Sequence, residues 1–304
     1  MRRFSITFLF AAIAVLPVRA QSGADVLPFV SIDRNPVTAS LAGGGLSATH
    51  GADFSYALFG NPAAVPFMDR HFDLGLNYSM WAPSLQKNHL IQAGGSFKVA
   101  KAVALTAGFS RGMYQEMEVS GKSFKPYDMI VGGGISFSIA SCVGIGANVK
   151  YARQLLLPDN SLYGVSMDAF VQYHNEDFNI MAGVGNFGPA VRSTGVNDKY
   201  KLNPVFRFGI DYVFTPGDFS LQPVMDVAVY FDKHWAGDIG LQAGWKEMVW
   251  LRAGYRYASK GTVIPSHLSL GLGASFYGVR IHAAWLTLNK EIGNTFLIGL
   301  GYGF

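Results

Sequence analysis

The chain has 304 residues, 50% of them hydrophobic and 14% charged, and carries a formal net charge of +4. Mean hydropathy is +0.22, yet after residue 20 no stretch approaches the roughly 18 uncharged apolar residues that a transmembrane helix needs. This composition excludes a helical membrane protein. The positive charge does not indicate nucleic-acid binding, because Arg2, Arg3 and Arg19 lie in a predicted leader.

Residues 1–20 predict a signal peptide. Arg2 and Arg3 supply the positive start, residues 4–16 form the apolar run, and Ala20 ends a small-residue cleavage site. We therefore expect export, with a mature chain that begins near Gln21.

Residues 21–70 differ in character from the rest and predict a hatch that fills the lumen of a barrel. Small residues allow close backbone packing, and an Asn-Pro step favours a turn. The expected hatch motif consists of Gly43, Gly44, Asn61, Pro62 and Ala63.

Residues 71–304 alternate large apolar residues with small or polar ones. From Phe296 to Phe304 every second residue is large and apolar, whereas Gly299, Gly301 and Gly303 lie between them. One face suits lipid and the other a crowded lumen. The predicted strands are 72–81, 89–99, 102–115, 126–139, 142–153, 162–174, 178–186, 204–214, 219–231, 237–246, 249–258, 266–277, 279–289 and 294–304.

The connections between these strands alternate between short and generally longer ones, the longest spanning residues 187–203. Short periplasmic turns, longer outer loops and an even strand number are typical of outer-membrane barrels. The predicted fold class is all-β, a fourteen-stranded antiparallel transmembrane β-barrel in the outer membrane of a Gram-negative bacterium, with outer-membrane lipid around it. Aromatic girdle candidates near strand ends are Trp81, Tyr151, Tyr173, Tyr212, Tyr230, Trp245, Tyr255, Tyr257 and Tyr302.

Strand parity places a set of charged residues on the lumen face, where they avoid the cost of charge in lipid. Lys150 and Asp168 lie on neighbouring strands and could pair. Two interpretations remain open: the set holds the hatch and fills the lumen, or it binds a carboxylate headgroup or an acidic protein segment. The predicted lumen charges are Lys150, Asp168, Arg207, Asp211, Lys246, Arg252, Arg256 and Arg280.

The chain offers no pattern for catalysis. Its seven histidines are scattered without metal-ligand spacing, and no nucleophile-elbow, Walker or Rossmann motif occurs in a suitable setting. We expect no enzyme activity, no metal and no cofactor. Tyr302 and Phe304 predict an aromatic C-terminal assembly signal of the kind that bacterial barrels use.

The hatch motif resembles that of a known family. Residues 39–44, followed by Phe59-Gly60-Asn61-Pro62-Ala63-Ala64, are similar to the paired-glycine and NPA pattern of the PorV/PorQ family of Bacteroidota, although Ala42 stands where relatives often have Met. Barrels of that family resemble the FadL long-chain fatty-acid transporters. The resemblance implies a fourteen-stranded, FadL-like barrel with an N-terminal hatch.

Two functions follow from the resemblance. The first is an accessory role in type IX protein secretion, in which the outer loops bind secretion components or hold secreted cargo. The alternative is FadL-like transport of long-chain fatty acids or other hydrophobic small molecules, which requires an apolar pocket and a gap between strands. Pro223, within the ninth strand, is the best candidate for such a gap, because proline lacks a ladder donor.

Overall fold

The computed structural model describes residues 26–81, 83, 88–119, 121–158, 160–194, 199–288, 290 and 292–304. The predicted signal peptide and residues 21–25 lie outside this range. No helix in the described part of the chain is long and apolar enough to cross a membrane.

The described residues form a closed, antiparallel β-barrel of fourteen strands, in which β14 pairs with β1 along eight residues of each strand. Each strand also pairs with its neighbours in the chain. The strands are β1 (Phe72–Trp81), β2 (Asn88–Ala100), β3 (Val103–Met113), β4 (Tyr127–Ala140), β5 (Val143–Leu157), β6 (Asn160–His174), β7 (Phe178–Phe187), β8 (Val205–Tyr212), β9 (Phe219–Tyr230), β10 (Trp235–Trp245), β11 (Val249–Ala258), β12 (His267–Phe276), β13 (Val279–Thr287) and β14 (Thr295–Gly303).

Burial alternates along the strands, as the period of two predicts. In β14, Leu297 is 2% exposed, whereas its neighbour Ile298 is 54% exposed. The outward side chains are mostly large and apolar, and the inward ones include most of the buried polar groups. An apolar exterior around a polar interior is the arrangement of a barrel in lipid.

The two ends of the barrel differ. The turn end carries tight turns such as 101–102, 141–142 and 277–278. The seam between β1 and β14 also ends there, where the backbone N–H of His71 donates to the carbonyl oxygen of Phe304 at 2.7 Å. The opposite loop end carries the longer connections, including residues 188–204 and the loop of residues 114–126, which contains a small hairpin of Met117–Val119 and Lys122–Phe124.

Fourteen strands occur where fourteen are predicted, with boundaries shifted by up to four residues. Two girdle candidates are wrong, since Trp81 is 9% exposed and Tyr230 is 7% exposed. Both project inward, because they share the parity of the buried residues in β1 and β9. Pro223 opens no gap: the pairs Asp211–Val224 and Phe214–Leu221 on either side of it keep one register.

Residues 26–70 precede the barrel and lie inside it as a series of short helical turns. These are Pro28–Ser31, α1 (Pro36–Ser40), Phe54–Phe59 and Pro62–Phe67. The last three begin at Asn35, Asp53 and Asn61, whose side chains each accept a hydrogen bond from the backbone N–H two residues later. Such caps satisfy backbone donors that the lumen's confined space would otherwise leave unpaired.

Candidate functional site

The glycines at 43–45 bring the hatch backbone against the wall formed by β9, β10 and β11. Gly43 has φ of +100°, and a Cβ added there would lie 2.5 Å from Nη1 of Arg256. The backbone N–H of Gly45 donates to Oδ2 of Asp226 at 2.6 Å. Only glycine combines this conformation with such a close approach.

The Asn61-Pro62-Ala63 turn docks on the opposite wall. The Asn61 amide donates to the carbonyl oxygen of Leu46 at 3.0 Å and to Oε1 of Gln172 in β6 at 2.7 Å. A Cβ added to Gly146 of β5 would lie 2.7 Å from the backbone nitrogen of Ala63. The motif therefore joins two parts of the hatch to each other and to the barrel.

Most of the predicted lumen charges are buried and lie in a polar network. Lys150 and Asp168 form an ion pair of 2.7 Å, in which both side chains are at most 5% exposed. Arg256 lies 3.4 Å from Asp238 and donates to the hatch carbonyl oxygen of Ala42 at 3.2 Å.

Arg280 and Arg34 extend this network at other points of the wall. Arg280 in β13 pairs with Asp53 of the hatch at 3.3 Å and also with Asp73 in β1. Arg34 of the hatch pairs with Asp128 in β4 at 3.1 Å. Arg34 is a hatch residue that sequence reasoning missed, because nothing near it in the chain indicates its partner.

Two predicted residues, Asp211 and Arg252, use other partners. Asp211 accepts hydrogen bonds from Ser47 at 2.6 Å and, at its second oxygen, from Asn179 and Gln222. Arg252 is 3% exposed and donates to Oε1 of Gln242 at 2.6 Å and to the carbonyl oxygen of Gly51 at 3.3 Å.

Arg207 projects into the lumen from β8 near the half-buried Asp33 of the hatch. Burial raises the pKa of the Asp33 carboxyl. Hydrogen bonds from Thr38 and Asn35, and the charges of Arg207 and Arg256, partly oppose that rise.

Lys246 does not belong to this set. The strand β10 ends at Trp245, so Lys246 lies in the turn at the turn end, where its side chain is 47% exposed. It pairs loosely with the exposed Asp218 at 3.5 Å and lies 5.2 Å from the centre of the Trp245 ring. Parity misplaced it, because its backbone adopts φ of +51° and leaves the strand.

The lumen near the loop end contains buried apolar clusters, which strand parity alone does not indicate. Three lie there, and the smallest contains Val205, Ala228 and Tyr230. The two larger ones lie on different sides of the barrel. The first contains Trp81, Leu90, Ala284, Leu286, Leu288 and Leu297, together with Ala39 and Ile264. The second contains Leu27, Phe29, Ile130, Ala152, Val191 and Leu202.

The hatch segment Leu27–Ile32 joins the two clusters. Leu27 and Phe29 are at most 2% exposed in the second cluster, and Ile32 packs against both. Sequence reasoning assigned no role to this segment, although its apolar run was the available signal. The cavity elsewhere in the hatch, lined in part by Thr38 and Tyr56, holds about 50 Å³, which is room for a few waters only.

The pairing of β7 with β8 ends beside the second cluster, where their connection of residues 188–204 begins. Pairing ends at Gly185–Val205 and resumes at Val191–Tyr200, with no paired residues described between them. Pro189 lies in this stretch and lacks a backbone donor.

A bulge in β7 lies next to the point where this pairing ends. Met167 of β6 pairs with Phe187, but Ala169 pairs with Val184, so β7 carries one extra residue. Asn186, at the bulge, donates from its backbone to Asp168 at 2.9 Å and from its side chain to Ser31 of the hatch at 3.3 Å. The hatch segment therefore contacts the wall at its irregular point.

Among the described residues, no group of three or more histidine, cysteine and acidic side chains is arranged to hold a metal ion. The chain matches no protein-family model and no curated protein. The comparisons therefore give no support to the PorV/PorQ resemblance.

The fold does match solved structures. The toluene transporter TbuX of Ralstonia pickettii matches with a TM-score of 0.59 and 13% identity over 89% of this chain and 98% of that one. The chain shares the fold of this transporter and of the two further barrels given next. CymD, a monoaromatic hydrocarbon channel, matches with a TM-score of 0.63 and 12% identity over 88% and 96% of the two chains. A FadL homologue of Pseudomonas aeruginosa matches at 0.56 and 13% identity, over 89% and 98%.

Proposed function

We propose that this protein carries hydrophobic small molecules across the outer membrane of a Gram-negative bacterium, after export directed by residues 1–20. The observation that carries the proposal is the pair of buried apolar clusters that the segment Leu27–Ile32 joins at the loop end of the lumen. A water-filled pore for polar solutes would line its mouth with polar side chains. The matched structures named as toluene transporters and hydrocarbon channels agree with this function.

The route runs between the two apolar clusters and requires the segment Leu27–Ile32 to move. That segment fills the space that an apolar molecule would occupy, so the molecule must displace Leu27 and Phe29. Displacement of the segment Leu27–Ile32 would also break the hydrogen bond between Ser31 and Asn186, at the bulge in β7. The stretch in which no pairing is described between residues 186–190 and 201–204 then offers a lateral exit next to Val191 and Leu202.

The test is uptake of labelled toluene and labelled oleate by cells that lack their own hydrophobic-uptake barrels. We expect uptake above that of cells without the protein. Leu90→Gln should reduce it, because it places a polar amide in the first cluster, where Leu90 is 1% exposed. Leu105→Gln is the matched control, since Leu105 is 41% exposed on the outer face. Assembled barrel is quantified in each strain by its altered migration before boiling.

Uptake equal to the empty strain for both compounds would contradict the proposal. The secretion role, which rests on the hatch motif alone, has its own test in the original host. Deletion of the gene would then deplete proteins from the cell surface, as measured by quantitative mass spectrometry, while hydrophobic uptake stayed unchanged.

A further inference from the structure

The outer face of the barrel is almost free of charge. Among the described residues of the fourteen strands, the charged side chains that point outward are Arg111 in β3 and Arg153 in β5. Their neighbours along the strand are buried in both cases, namely Ser110 and Gly112 beside Arg111 and Ala152 and Gln154 beside Arg153. Both arginines lie in the half of their strand that is nearer the loop end.

These two arginines belong to one row of cross-strand pairs. Arg111 pairs with Met129, Met129 with Arg153, and Arg153 with Tyr163. The row continues into the two short strands of the 188–204 connection, where Arg192 pairs with Tyr163 and Lys199 with Arg192. We call Arg111, Arg153, Arg192 and Lys199 the cation row. Adjacent strands are about 4.8 Å apart, so Arg111 and Arg153 are separated by about 10 Å.

The position of the row suits the boundary between lipid and water. The next outward residues toward the turn end are apolar or aromatic, such as Phe109 and Tyr151. The energetic cost of an outward arginine is large at the middle of a bilayer and falls toward zero near its surface. Tyr127, whose ring lies 5.1 Å from the Arg111 guanidinium, is an aromatic residue of the kind found at that boundary.

The positive charges of the cation row lack acidic partners in the described part of the chain. None of its members forms an ion pair with a carboxylate in the described part of the chain. Arg153 donates to Oγ of Ser161 at 3.3 Å, but its Nε has no acceptor although the atom is buried from water. In the lumen, by contrast, Lys150, Arg256 and Arg280 all face carboxylates.

We propose that the cation row binds the phosphate groups of an anionic lipid in the outer leaflet, with the lipid's acyl chains lying on the apolar strand surface below. The guanidinium group matches phosphate with two parallel hydrogen bonds. The apolar surface beneath the row favours a lipid over a soluble anion, because only a lipid occupies both surfaces at once. Two arginines about 10 Å apart suit a headgroup that carries two phosphates.

The test uses the full chain in detergent and bisphosphorylated lipid A as the probe, with bound lipid counted by native mass spectrometry. The double variant Arg111→Gln with Arg153→Gln should bind about tenfold more weakly or worse, because it removes two charge-assisted contacts. The matched control is Lys101→Gln with Lys246→Gln, which changes the net charge equally at exposed positions of the turn end. We expect the control to bind as the parent protein does.

Three further measurements make the proposal falsifiable. Arg111→Lys with Arg153→Lys should retain part of the affinity, since it keeps the charge but loses the fork geometry. Dephosphorylated lipid A should bind weakly, and inorganic phosphate at equal concentration should not displace the phosphorylated lipid. The proposal is overturned if the double glutamine variant binds like the control, if dephosphorylated lipid binds equally well, or if inorganic phosphate competes fully. Should the double variant fail to assemble, the lysine variant and the lipid comparison decide the outcome.

Discussion

For a single charged residue, the face of the strand on which the side chain lies determines whether its charge is paired in the lumen or exposed to water. Strand parity predicts an inward position for both Lys150 and Lys246. Lys150 does lie in a buried ion pair, but Lys246 lies in an exposed turn. Buried carboxylates also hold the hatch directly, as when Asp226 accepts the backbone N–H of Gly45 at 2.6 Å. The hatch is likewise contacted by Asp211, Arg252, Arg256 and Arg280. We propose that these charges position the hatch, which is one of the two interpretations that the sequence left open.

The two lysines make a matched pair for a stability measurement. Lys150→Met should lower the free energy of unfolding by about 3–5 kcal/mol, because it leaves the Asp168 carboxylate buried without its partner. Lys246→Met should change it by about 0–1 kcal/mol, because both partners of that pair are exposed. Urea titration in detergent micelles measures both values, and similar losses for the two variants would contradict the burial assigned to Lys150.

The role of the hatch glycines is testable in the same way. Gly43→Ala and Gly121→Ala both place an alanine at positive φ, +100° and +75° respectively, at a shared backbone cost of about 1–2 kcal/mol. Only the first also forces a Cβ to 2.5 Å from the Arg256 guanidinium, since nothing lies within 4 Å of a Cβ at Gly121. We expect Gly43→Ala alone to increase hydrogen exchange at amides 41–48, and unchanged protection would remove the docking role of Gly43.

At the scale of the element, strands are predictable because their signal is local. Each barrel strand buries one face and exposes the other, so a period of two marks its whole length, and all fourteen predicted starts lie within two residues of those observed. The contacts of the hatch are not local. Arg34 and Asp128 are 94 residues apart, and Asn61 and Gln172 are 111 apart. No pattern in either segment specifies the partner.

The local rule also fails where strands end. Lys246 follows the parity of β10, but the strand stops one residue earlier. Trp81 follows the composition of a girdle, but it lies at the loop end of β1 facing an apolar lumen. The first error extends strand parity beyond the last residue of the strand, and the second infers a membrane-facing position from composition alone.

The outer face of a strand should tolerate charge according to its depth. Leu270 and Phe276 both face outward from β12, at 50% and 61% exposure, but Phe276 ends the strand at the turn end. Leu270→Arg should destabilise the folded barrel by about 2–4 kcal/mol and Phe276→Arg by about 0–1 kcal/mol. Refolding titrations into phospholipid vesicles measure the difference. Equal losses would mean that the two residues do not differ in membrane depth.

At the scale of the whole molecule, closure of the barrel depends on the seam between the first and last strands. Eight residues of β1 pair with eight of β14, and the carbonyl oxygen of Phe304 accepts from the backbone of both His71 and Phe72. The Phe304 ring also contacts the Phe72 ring edge-on, with centroids 4.3 Å apart. The chain's last residue therefore lies at the place where the sheet becomes a closed cylinder.

The variant Phe304→Ser tests whether Phe304 stabilises the folded seam or acts as a signal that is recognised while the barrel assembles in cells. Loss of the Phe304 ring removes its contacts with Phe72 and Tyr302. This should cost the folded barrel about 0.5–1.5 kcal/mol for each contact, in addition to the free energy of the apolar area lost, which a fourteen-stranded sheet tolerates. A larger effect on the amount of barrel assembled in cells would then show that the terminal ring acts as an assembly signal. Tyr277→Ser is the control, because Tyr277 is an aromatic residue 87% exposed at the same end of the barrel. We expect Phe304→Ser to reduce assembled protein several-fold while its refolded form unfolds near the parent midpoint. Equal assembly of the two variants would limit Phe304 to a contact at the seam.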